Sequence, residues 1–117
     1  MDFLILFPDE IEEKWLGDLP KKVYAKAVAR IERLEELGHQ LRRPEADYLR
    51  DGIYELRWRF QSVNYRLLYF FHGREIIMLA HGLIKEDTVP NQDINRALQY
   101  KKAFEIDPVS HTFAFDI

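Results

Sequence analysis

The 117-residue chain contains no cysteine, so disulfide bridges, thiolate nucleophiles and sulfur-ligated metal centres are excluded together. Its longest apolar runs, Phe3–Phe7, Leu67–Phe71 and Ile76–Ala80, are five residues each, against the roughly 20 needed for a membrane-spanning helix. Neither a basic leader nor a secretory apolar region precedes Pro8-Asp9-Glu10, which leads to an expectation of a cytoplasmic protein without membrane attachment. Its five glycines are scattered singly, at 17, 38, 52, 73 and 82, which leaves no phosphate-cradling loop. The four histidines show no metal-ligand spacing, so neither a metal nor any other cofactor is expected. Only Ser62 and Ser110 could serve as hydroxyl nucleophiles of the serine type, and neither lies in a nucleophile-elbow context.

A general excess of basic charge is also lacking, since the formal net charge is −3. That average conceals an uneven distribution. Residues 1–49 carry eight basic and eleven acidic groups, residues 50–104 carry nine and six, and the segment from Glu105 carries three acidic groups alone. An anionic ligand would therefore be met by the middle segment.

What the chain does have is hydrophobic periodicity, with 47% hydrophobic and 14% aromatic residues in a length suited to one α+β domain. Phe3–Phe7 lacks polar alternation and predicts a strand buried on both faces. Asp9 caps an expected short helix to about Leu16, and Gly17-Asp18-Leu19-Pro20 interrupts the chain. Val23, Ala27, Ile31 and Leu34 recur at helical spacing and predict an amphipathic helix over 21–37, stopped by Gly38 and forming an antiparallel hairpin with the first helix. Residues 39–52 read as a connection.

A three-stranded antiparallel meander follows. Over 53–60, Tyr54, Leu56, Trp58 and Phe60 alternate with Glu55, Arg57 and Arg59. Over 63–71, Asn64, Arg66, Leu68 and Phe70 take one side, and Val63, Tyr65, Leu67, Tyr69 and Phe71 the other. His72-Gly73-Arg74 predicts the next turn, and a strand from Glu75 to about Ile84 carries Ile77, Leu79, His81 and Leu83 on one face. Pro90 opens a last helix with Ile94, Ala97, Leu98 and Phe104 in its apolar stripe, Pro108 stops it, and Phe113, Phe115 and Ile117 suggest an edge strand. The expected order is β-α-α-β-β-β-α, with the helical hairpin on one face of the sheet.

Chemistry concentrates on Glu55, Arg57 and Arg59, with Arg66 on the adjacent strand. Strands lie about 4.8 Å apart, so these guanidiniums could converge on one phosphate. The same pattern also describes a solvated face with weak cross-strand ion pairs. Tyr54, Trp58 and Trp15 read as core aromatics rather than base-stacking platforms, His72 reads as a turn residue, and His81 as a histidine satisfied within an apolar face.

The segments Leu49-Arg50-Asp51-Gly52-Ile53-Tyr54-Glu55-Leu56-Arg57, Asn64-Tyr65-Arg66-Leu67-Leu68-Tyr69-Phe70-Phe71 and Leu79-Ala80-His81-Gly82-Leu83-Ile84-Lys85, with Pro90, Ile94 and Ala97, resemble the RelE/ParE toxin superfamily. The similarity is greatest to its HigB-like, phage-related branch and covers residues 1–104 as the toxin domain, leaving 105–117 as an acidic C-terminal extension. The resemblance implies a RelE-like fold and the toxin of a type II toxin–antitoxin pair. Such a toxin is a metal-independent endoribonuclease that cuts messenger RNA on the ribosome, inhibits translation and is neutralised by a helix-turn-helix antitoxin. Carried over by position, Glu55 is the base, Arg57 and Arg66 stabilise the phosphate, and Lys85 and His81 supply a phosphate contact and an acid. Arg59 joins as an RNA-binding residue because it shares the face. Where the branch usually has a second lysine after Lys85, this chain has Glu86 and Asp87, and Leu83 replaces a typical aromatic. Two other readings are a ParE-like protein that poisons DNA gyrase by binding, and an inactive module that retains only the antitoxin interface.

Overall fold

The computed structural model describes residues 3–8, 14–84, 88–107 and, for the backbone, 113–114. A strand β1 (Leu4–Phe7) leads towards helix α1 (Lys21–Leu37) and a short 3-10 turn (Gly38–Gln40). Strands β2 (Ala46–Arg50), β3 (Ile53–Phe60), β4 (Val63–His72) and β5 (Ile76–Ile84) come next, followed by helix α2 (Asn91–Ile106) and strand β6 (Phe113–Ala114). The strands form one sheet in the order β2-β3-β4-β5-β1-β6. From β2 to β5 all pairings are antiparallel, whereas β1 lies parallel to β5, with Leu4 opposite Ile76. The strand expected near the end of the chain is present as β6, antiparallel to β1.

The apolar stripe of α1 buries Val23, Ala27, Ile31 and Leu34 against one sheet face, where Leu56, Trp58, Tyr65, Leu67 and Tyr69 meet it. Truncating a buried residue such as Ile31 to alanine removes about 2–5 kcal/mol. Gly38 ends α1 at φ +52, and the Phe3 ring lies so close that an added Cβ would overlap it. Both the dihedral and the contact therefore select glycine. On the opposite face α2 packs Ile94, Ala97 and Phe104 over Ile53, Leu68, Phe70 and Met78. The result is a helix–sheet–helix sandwich with two apolar clusters.

The expected helix over Asp9–Leu16 falls mainly outside the described residues. Its last part, 14–16, is helical, and Trp15 and Leu16 join the α1-side core. Trp15 lies over Gly82 at a distance no Cβ would tolerate and meets Trp58 edge-on at 5.9 Å, so both tryptophans are core residues as expected.

Several expectations are corrected. The segment 39–52 is not merely a connection: it contains β2, which makes the meander four-stranded. Asp51 and Gly52 close the β2–β3 hairpin with positive φ at both residues, the dihedral pair for which Asp-Gly is suited. β1 is not buried on both faces, because Ile5 and Phe7 are buried but Leu4 is 48% exposed. The turn after β4 occupies residues 73–75, one position later than expected, with His72 still in the strand.

The fourth correction concerns phase in β5. Leu68 pairs with His81 while the next residue, Tyr69, pairs with Leu79, which leaves Ala80 as an extra residue. This bulge inverts the alternation. Ile77 and Leu79 belong to the α1-side cluster, whereas Leu83 belongs to the α2-side cluster and His81 bonds to α2. The four residues therefore do not share one face. No helix among the described residues is long and apolar enough to cross a membrane.

Candidate functional site

Period-two alternation in β3 turns Glu55, Arg57 and Arg59 towards the α2 side, because Leu56 and Trp58 are committed to the α1 core. The two-residue turn Gln61–Ser62, with both φ values positive, closes the β3–β4 hairpin. That closure fixes the register so that Phe60 faces Val63, Arg59 faces Asn64 and Arg57 faces Arg66. Helix α2 covers the part of this face occupied by Leu68, Phe70 and Met78. The charged rows at the other end border an open cleft of about 540 Å³, to which β2 contributes Asp47 and Arg50 and the segment before it Arg43.

Glu55 and Arg66 are the buried charged side chains among the described residues, at 3% and 6% exposure. The solvated-face reading therefore fails for these two. One oxygen of Glu55, Oε1, lies 3.3 Å from Nη1 of Arg66 and 3.4 Å from Nε of Arg57. Neither contact has hydrogen-bond geometry, and Oε1 accepts no hydrogen bond from the described residues. The group is thus a buried carboxylate held by charge, with the hydrogen-bonding capacity of Oε1 unused among the described residues. Two guanidiniums against one carboxylate leave a surplus positive charge at the cleft, which favours an anion there.

The cleft is braced from both sides. Arg50 donates to the side-chain oxygens of Asn91 and Asn95, at 3.3 and 3.0 Å from Nη2, and so ties β2 to the first turns of α2. At the other end of β2, Glu45 takes a bidentate fork from Arg33 at 2.9 Å and a further contact from Arg30 at 2.9 Å, clamping the strand to α1. Hydrogen bonding from Arg33 is the main reason the Glu45 carboxyl is lowered to about 2, with Arg30 adding to the effect and partial burial opposing it.

The other expected site residues lie elsewhere. Arg59 is exposed and, with Asn64, lines a neighbouring groove that shares Arg57 and Arg66 with the cleft. His81 lines a third groove with Gln92, Asn95 and Arg96, and its Nε2 lies 2.8 Å from Oδ1 of Asp93 in the first turn of α2. Lys85, Glu86 and Asp87 fall outside the described residues. The structure therefore brings together Glu55, Arg57 and Arg66, adds Arg59 at their border and sets His81 apart. Asp93, Arg43 and the β2 residues Asp47 and Arg50 were not anticipated. The Asp-Gly turn could have revealed β2, whereas the His81–Asp93 contact depends on the bulge and has no local signal. Among the described residues no three His, Asp or Glu side chains gather as a potential metal site.

No curated protein matches the chain significantly. The sequence model described as phage derived protein Gp49-like (DUF891) matches residues 14–102, the segment that contains all of the cleft residues described above. The chain thus belongs to the Gp49-like phage-derived protein family, a RelE-like family associated with toxin–antitoxin systems.

Proposed function

We propose that this protein is the HigB-like toxin of a type II toxin–antitoxin pair and acts as a metal-independent endoribonuclease on messenger RNA. The observation that carries this reading is the Glu55 carboxylate, buried between Arg57 and Arg66 at the edge of an open cleft with an oxygen that accepts no hydrogen bond. In the reaction, a ribose 2′-OH attacks the adjacent phosphorus. Glu55 takes the hydroxyl proton as general base, and Arg57 and Arg66 stabilise the charge that develops on the phosphorane oxygens. The O2′–P bond forms and the P–O5′ bond breaks, which yields a 2′,3′-cyclic phosphate and a 5′-hydroxyl. His81 and Lys85 complete the proposed catalytic set, and Arg59 contributes to RNA binding. A helix-turn-helix antitoxin is the proposed partner and the translating ribosome the proposed place of cutting, with inhibited translation as the result.

The test is induced expression of wild type beside Glu55→Ala and Arg66→Ala, with growth and messenger 5′ ends followed in the same cultures and folding checked by circular dichroism. Wild type should arrest growth and produce new ends that both folded variants fail to produce. Arrest without cuts, unaffected by either substitution, would replace the ribonuclease by a binding poison of gyrase type. Normal growth with wild type would leave an inactive antitoxin-binding module.

A further inference from the structure

Thr88 carries the one aliphatic hydroxyl among the residues that line the cleft, in company with Arg43, Arg50, Arg57 and Arg66. It lies between β5 and α2, where residues 88–90 form neither helix nor strand. Thr88 is exposed, whereas the next residue, Val89, is buried in the α2-side cluster, and Pro90 fixes the backbone dihedral ahead of α2. The hydroxyl-bearing residue is therefore open to the active site of another enzyme, while its neighbours hold it at the cleft wall.

The charges around it are unevenly matched. Arg43 pairs with Asp47 at 2.8 Å and Arg50 with Asp51 at 2.7 Å. Arg57 and Arg66 instead share the single carboxylate of Glu55. The unmatched positive charge of the cleft thus lies at the two arginines assigned above to the reacting phosphate. A phosphate ester on threonine carries about −1.5 to −2 at neutral pH with three acceptor oxygens, more charge than one phosphodiester of RNA. Being tethered, it meets these arginines at an effective concentration on the order of millimolar. The start of α2 adds to the attraction, because its N-cap, Pro90, supplies no side-chain cap and Asn91 lines the same cleft.

We propose that Thr88 is a phosphorylation site and that the phosphate formed there docks on Arg57 and Arg66 and closes the cleft to RNA. The closure rests on the ribonuclease reading above, whereas the docking does not. In the modifying step Oγ1 of Thr88 attacks the γ-phosphorus of a nucleoside triphosphate held by a protein kinase. The Oγ1–P bond forms, the bond from that phosphorus to the β–γ bridging oxygen breaks, nucleoside diphosphate leaves, and the hydroxyl proton passes to the kinase's base. Hydrolysis of the same ester by a phosphatase reopens the cleft.

The experiment installs phosphothreonine at position 88 by genetic-code expansion and compares the purified protein with the unmodified one. In a phosphorus NMR titration, the phosphate should lose its last proton about 0.5 pH unit or more below its value in the urea-unfolded chain, because the guanidiniums favour the dianion. On translating ribosomes supplied with message, cutting should fall about 100-fold and return after phosphatase treatment. Phosphopeptide mapping of the protein from the cells that make it should find the phosphate on Thr88. Identical titration in folded and unfolded protein would overturn the docking, cutting that survives modification would overturn the closure, and a Thr88 that carries no phosphate in growing or starved cells would overturn the site. If the unmodified protein cuts no message, the ribonuclease reading falls and the closure with it, while the titration still decides the docking.

Discussion

Two glutamates in this fold each stand between two arginines, one where β2 meets α1 and the other where β3 meets the cleft, and they are held in opposite ways. Glu45 is partly exposed, and both of its oxygens are engaged at 2.9 Å by the Arg33 fork, with Arg30 adding a second contact. Glu55 is buried, offers one oxygen to two arginines at 3.3 and 3.4 Å, and receives no hydrogen bond there. The first arrangement saturates a carboxylate and makes it a clamp. The second brings charges together without saturating them, which leaves both the carboxylate and the guanidiniums able to engage something else. Counting ion pairs would treat the two as equal, whereas hydrogen-bond geometry separates a saturated carboxylate from an unsaturated one.

The most severe break in this comparison is Glu55→Gln. Under the proposed function, loss of the general base should lower message cleavage by about 10²–10⁴-fold, whereas Glu45→Gln should leave cleavage within a few-fold of wild type; quantifying cut ends for both variants checks the contrast. Next in size is Arg66→Ala, which leaves Glu55 buried with Arg57 as its remaining partner and should destabilise the fold by about 3 kcal/mol, measured as a drop in urea midpoint at unchanged slope. Glu45→Gln should cost only about 1 kcal/mol, since Arg33 is half exposed to solvent and salt.

The smallest effect has a defined pH dependence. The Glu45 carboxyl is lowered from 4.5 in the unfolded reference to about 2 in the folded protein. Its stabilising contribution is therefore fully present above about pH 4.5 and is lost as pH falls towards 2, because the unfolded chain takes up the proton first. Unfolding curves of wild type and Glu45→Gln recorded from pH 6 to pH 2 should converge at the acid end. A gap that stays constant would mean that packing, and not charge, joins β2 to α1.

The contrast also explains what was legible in the sequence. Glu55, Arg57 and Arg66 could be assigned to one face because strand alternation is strict in β3, and the two-residue turn at Gln61–Ser62 preserves it into β4. The α1 stripe was equally plain, since Val23, Ala27, Ile31 and Leu34 repeat at helical spacing. The burial of Glu55 was not legible, because it depends on β2 and on α2 closing over the face, and β2 offers only Ala46, Tyr48 and Leu49 as weak apolar markers. The side to which His81 turns was hidden for another reason. Ile76–Ala80 is an unbroken apolar run, so an extra residue at Ala80 leaves no polar marker to show that the phase has changed.

The parallel pairing of β1 with β5 also has a consequence for how the protein is made. β1 leaves the ribosome well before its partner, because its neighbour Ile76 is synthesised only after α1 and three further strands. At about 5–20 residues per second, the apolar Phe3–Phe7 run stays without its sheet partner for seconds, while the β3–β4 hairpin bearing Glu55, Arg57 and Arg66 needs only its own tight turn to form. The charged core of the proposed site is therefore assembled by local pairing ahead of the strand that completes the sheet, and a delay in synthesis after His72 and before β5 would prolong the exposure of β1 rather than disturb that core.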